Sequence, residues 1–111
     1  MLAEAKKALR VSAAEYDGEI ARLIMAGARD LETAGVILPG TVELAIDADD
    51  AVTDASTLTD PLVVRAIITY VRMNFGSPGD YARVAESYEL QKAQLMYADG
   101  YTNYSQGGDL Y

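Results

Sequence analysis

The sequence predicts an all-α protein: a small bundle of about four helices with a long, partly extended middle loop and a flexible C-terminal tail. Three observations carry this reading. Asp60–Phe75 is apolar at most positions and opens with an N-cap aspartate followed by proline at the first helical position. Gly18–Ala34 sets Ile20, Leu23, Ile24, Gly27, Ala28, Leu31 and Ala34 at helical spacing along its whole length. Beyond Ser77-Pro78, Tyr81, Val84, Ala85, Tyr88, Leu95 and Met96 mark out one face of a further helix running to about Ala98. A chain of 111 residues can bury one modest core. The domain is expected over residues 1–98, with 99–111 as a Tyr- and Gly-rich tail.

The Asp60–Phe75 helix is expected at the centre. Val63, Val64, Ile67, Ile68, Tyr70, Val71 and Phe75 cover a broad face, and Arg65, Thr69 and Arg72 share one narrow polar stripe. Gly76, Ser77 and Pro78 end it. The remaining elements are read relative to this helix. Leu2–Arg10 is a short Ala-rich helix that must dock to persist, and Ser12–Asp17 is a turn. In the second helix Gly27 and Ala28 remove side-chain bulk, which invites the central helix to pack there. Gly35 stops it. Its opposite face carries Glu19, Arg22, Arg29, Asp30 and Glu32, with Arg22 and Arg29 pointing the same way two turns apart. The core is expected to contain Leu23, Ile24, Ala28, Leu31, Val64, Ile67, Ile68, Val71, Val84, Tyr88 and Leu95.

Residues 36–59 are the least helical. Pro39-Gly40 is a turn signal, and Val42, Leu44 and Ile46 alternate with polar or small residues in strand-like period two. The acidic run that follows is expected to be a loop. Asp47, Asp49, Asp50 and Asp54 invite a calcium reading, because hard cations want clustered oxygens. As an EF-hand the run fails, with Val52 where the glycine should be and Leu58 where the closing glutamate should be. On the last helix, Leu90 and Tyr97 lie opposite the core face, with Ala93 between them, as a second apolar ridge. Tyr101, Tyr104, Leu110 and Tyr111 in the tail are residue types that anchor segments to partners.

Composition excludes several function classes. There is no cysteine and no histidine, so thiolate metal sites, disulfides, cysteine nucleophiles and histidine general bases are all missing. The serines have nothing to activate them, and no glycine-rich phosphate loop precedes a helix. No catalytic residue, cofactor or metal is expected. Nine basic against seventeen acidic residues leave a net charge of −8, which repels a polyanion. The charged start, MLAEAKKALRV, has no apolar run that would mark a signal peptide or membrane segment.

The order of features resembles a known family. EAKKALRV, the turn at Tyr16-Asp17, DGEIARLIMAGARDLETAGV and then DPLVVRAIITYVRMNFGSPGDYARVAESYELQKAQL are similar to the head-tail connector (adaptor) proteins of tailed bacteriophages. The resemblance covers roughly residues 1–97 and leaves the acidic middle and the tail unaligned. It implies a structural subunit of a homo-oligomeric ring of about twelve copies, docked on the portal protein, extending the DNA channel and meeting the tail or stopper. It also implies a virion location at the head-tail interface after synthesis in the host cytoplasm. DNA passes such a ring without specific binding, which suits an acidic chain. The candidate partner-binding residues are Leu90, Tyr97, Tyr101, Tyr104, Leu110 and Tyr111 as one patch, with Arg22 and Arg29 or the middle loop as another. Two other classes stay open: a small regulatory or antitoxin-like helical protein binding one partner as a monomer or dimer, and a DNA-binding domain reading through Arg65 and Arg72.

Overall fold

Asp60 starts the central helix as the sequence suggests. Its Oδ1 accepts the N–H groups of Leu62 and Val63 at 3.0 and 3.2 Å, satisfying two of the unpaired donors of the first turn. Pro61 holds the first helical position. The computed structural model describes residues 1–76, 79–98, 100 and 101. Within them α1 spans Leu2–Leu9, α2 Asp17–Thr33, α3 Pro61–Asn74 and α4 Tyr81–Tyr97, and a single 3-10 turn at Ala14–Tyr16 leads into α2. The helix expected from Ser77-Pro78 begins at Tyr81.

The fold is predominantly helical but not all-α. The middle segment contains a two-stranded antiparallel sheet, β1 Leu44–Ile46 and β2 Val52–Asp54, with Ala45 opposite Thr53. The expected strand-like alternation was therefore real, and the acidic run after it is the turn and return strand of a hairpin. Asp47 makes the turn: its Oδ1 accepts the N–H groups of Asp49 and Ala51 at 2.8 and 2.9 Å. The backbone closes around it through Asp47 N–H to the Ala51 carbonyl. An Asp side chain that bonds its own backbone two residues on stabilises a turn, and Asp50 follows in the left-handed region at φ 62°.

Helix α3 lies between α2 and α4 and touches α1, while the hairpin packs on α2. Gly27 is what lets α2 and α3 approach. A Cβ built there would stand 3.0–3.2 Å from Cδ1, Cγ and Cβ of Tyr70, so the tyrosine fills the space that a larger residue would need. Ile20, Ile24, Leu31, Val63, Ile67, Val71 and Tyr88 are the largest fully buried side chains. Of the expected core, Leu23, Val64 and Ile68 are only half buried, at the flanks of their stripes. Tyr81, placed by its spacing on the inward face of the last helix though not in the expected core, is 52% exposed, because it is the first residue of α4 and lies one turn ahead of Val84, the first buried position. Conversely Ala5, Val36, Leu44 and Leu58 join the core from outside the three main helices.

Thr69, read as part of a polar stripe, is buried. Its hydroxyl donates to the Arg65 carbonyl at 2.9 Å, so the burial leaves no polar group without a partner. Helix ends follow local rules. Gly35 at φ 99° closes α2, with its own N–H bonded to the Glu32 carbonyl and that of Val36 to the Leu31 carbonyl. Arg10 closes α1 in the same geometry at φ 58°. Asp54 holds the other end of α1: its Oδ2 accepts the Leu2 N–H and the terminal ammonium, each at 2.9 Å.

Candidate partner-binding surface

Helix α4 has an inner and an outer face, and the inner one is held by a polar contact. Tyr88, 1% exposed, packs edge-on against Tyr70 with ring centroids 5.4 Å apart. Its hydroxyl donates a hydrogen bond to Asp30 on α2. Lys92 closes the group, with Nζ 3.3 Å from the same carboxylate oxygen and 5.2 Å from the Tyr88 ring centre. Burial, and then the Asp30 carboxylate, push the Tyr88 phenol well above its usual range. The phenol therefore remains a donor, and Asp30, Tyr88 and Lys92 pin α4 to α2 across the edge of α3.

The outer face is where the sequence placed a second ridge. Leu90 is 62% exposed and Tyr97 78% exposed, both directed away from Tyr88. Arg22 and Arg29 are exposed on α2 but do different things. Arg22 pairs with Asp50 of the hairpin turn at 3.2 Å, so it holds the hairpin to α2 as well as facing outward. Arg29 lines a groove of about 510 Å³ formed by α2 and residues 37–42, together with Met25, Ile37, Leu38 and Val42. A second groove, polar and smaller, runs between α3 and α4 beside Arg72 and Arg83.

Tyr101 was expected to meet a partner chain. Instead its hydroxyl donates to Asp60 Oδ2 at 2.7 Å and its carbonyl accepts the Ile37 N–H. The same aspartate thus caps α3 with one oxygen and binds the tyrosine with the other. The Tyr101 hydroxyl, together with the N–H groups of Val63 and Leu62, holds the Asp60 carboxyl below its usual range against a smaller opposing effect of desolvation. Nothing local in the sequence marks this contact, since the partners are 41 residues apart. Tyr104, Leu110 and Tyr111 lie outside the described residues.

The acidic residues do not converge. Asp47 bonds its own turn, Asp50 bonds Arg22, and Asp54 bonds the start of α1 and Ser56. Among the described residues no group of three or more acidic side chains is arranged to hold a metal ion. Burial raises the Asp54 pKa, but the Leu2 N–H, the terminal ammonium and Ser56 more than offset it and hold the carboxyl far below its usual range. Besides Tyr81, three exposed apolar residues were not singled out from sequence as surface features: Ile37, Leu62 and Tyr16, the last edge-on to Phe75 at 5.7 Å. Ile37 and Leu62 sit within apolar runs that read equally well as core, whereas Tyr16 lies in the turn before α2, between Glu15 and Asp17.

The domain is a small helical one that leaves Leu90 and Tyr97 exposed on the outer face of its last helix and a groove beside Arg29 on α2. Consistent with that class, residues 1–102 match the phage connector protein family, and the chain belongs to this phage head-tail connector family. The match extends past α4 to include Tyr101. The family is one of structural proteins. No curated protein and no solved structure matches the chain. Among the described residues no helix is long and apolar enough to cross a membrane.

Proposed function

We propose that this connector acts as one subunit of a homo-oligomeric ring of about twelve copies that docks on the portal protein, continues the DNA channel and offers its lower face to the tail or stopper. The observation that carries the reading is membership of the connector family across residues 1–102. The surface supports it. A subunit that presents Leu90 and Tyr97 on one helix face, and elsewhere a groove lined by Met25, Ile37, Leu38 and Val42 beside Arg29 and Glu32, offers two different patches to neighbouring chains. The net charge of −8 suits a conduit, because DNA is not held by counterion release to a wall that lacks a basic excess. Residues 1–101 form the assembly domain, and Tyr104, Leu110 and Tyr111 add partner contacts beyond it. In the assembled virion the ring sits at the head-tail interface.

Electron microscopy of the purified protein mixed with its portal tests this. Rings seated on the portal are expected. Portals that remain bare at micromolar protein, or that carry one or two copies without a ring, would refute it. A gel shift at low salt addresses DNA: no specific complex is expected, since Arg65 bonds Gln94 at 3.4 Å and α3 exposes only a narrow strip.

A further inference from the structure

The groove on α2 and the ridge on α4 stand on opposite sides of the domain. On α2, Gly27 faces Tyr70 of α3, and Asp30 faces Tyr88 and Lys92 of α4. Met25, Arg29 and Glu32, which line the groove, lie about 160° around the α2 axis from that pair, at 100° per residue. On α4, Glu86, Leu90, Ala93 and Tyr97 fall within about 60° of one another, opposite the buried Tyr88. A ridge on one side and a groove on the other make a head-to-tail pair rather than a self-complementary patch, and repeated head-to-tail contacts generate rings.

We infer that the α4 ridge of one copy, Leu90 and Tyr97, docks in the α2 groove of the next copy, against Met25, Ile37 and Val42, with Glu86 meeting Arg29. The inference rests on the ring reading above and specifies its interface. Charge argues for a second copy as the occupant. Arg29 makes no ion pair among the described residues, and neither does Glu86, so each has a charge to offer across the contact. Size agrees as well: about 510 Å³ lies within the range of grooves that accept a few side chains.

The chain has no cysteine, so thiols can be placed singly. Glu32→Cys on the groove rim and Ala93→Cys on the ridge, in one chain treated with a short bismaleimide, are expected to give a covalent ladder up to the full ring. Mixed single variants are expected to give heterodimers, with neither variant cross-linking alone. Glu86→Arg is expected to raise the concentration for half-assembly about tenfold or more, and adding Arg29→Glu to the same chain should restore it. Rings visible without a ladder, and without an effect of the charge pair, overturn this interface and leave the ring reading standing. A ladder that forms only after removal of residues 102–111 also overturns it, because the groove is then occupied by the chain's own end. Unmodified protein that never assembles, alone or on portal, refutes the ring reading itself.

Discussion

Tyr88 combines full burial, an aromatic contact and a charged acceptor in one side chain. Tyr88→Phe keeps the ring and loses the hydrogen bond, while Asp30 retains Lys92 and is not orphaned. A cost of about 1.5 to 3 kcal/mol is expected by urea denaturation, the usual worth of a bond to a charged group. The pH profile should carry the same signature. A phenol whose folded pKa is raised contributes stability that is fully present below its ordinary pKa of about 10 and is lost as pH rises beyond it. Stability should therefore fall above about pH 10, and less steeply in the Phe variant. At the acid end Asp54 works with opposite sign. Its lowered pKa gives stability above about pH 4 that is lost as pH falls towards the folded value, and Asp54→Asn should flatten that limb.

Among the elements, α3 is the one whose loss would unmake the rest, because α1, α2 and α4 all pack on it. Ile67→Ala, at a fully buried position, should cost about 2 to 5 kcal/mol. Gly27→Ala sets a propensity gain of up to about 1 kcal/mol against overpacking of about 1 to 3 kcal/mol. Overpacking should win, because the Tyr70 atoms in the way are the Cβ and the near end of the ring, which move only with α3. A Gly27→Ala protein that melts higher than the parent would show that the α2–α3 contact is looser than these distances indicate. These helices were legible because their signals are local: Asp60-Pro61 at the start of α3, Gly35 at the end of α2, Gly27 in a stripe. The hairpin was half legible. Val42, Leu44 and Ile46 alternate, but the return strand Val52–Asp54 has one apolar residue in three, and its acidic neighbours resemble a solvated loop until Asp47 is seen bonding its own turn. With the carboxylates of Asp47, Asp50 and Asp54 already engaged with separate partners, millimolar calcium should leave the melting temperature unchanged.

At the scale of the whole molecule, two properties had no counterpart in local pattern: the attachment of Tyr101 and the opposed placement of ridge and groove. Both depend on how distant segments meet. Asp60 bonds both Tyr101 and the first turn of α3, so removing residues 100–111 should lower the melting temperature further than removing 102–111, and Tyr101→Phe should account for part of the difference. Leu90 and Tyr97 were identifiable as a second ridge from spacing alone, whereas the groove beside Arg29 exists only because residues 37–42 lie along α2. The central claim, that this connector is a ring subunit and not a lone binding protein, is tested most directly by measuring the mass of the purified complex with portal in solution. A mass equal to the portal plus a ring's complement of 11.9 kDa chains, about twelve, is the predicted result. A complex that saturates at one or two chains, or no complex at all, would contradict it.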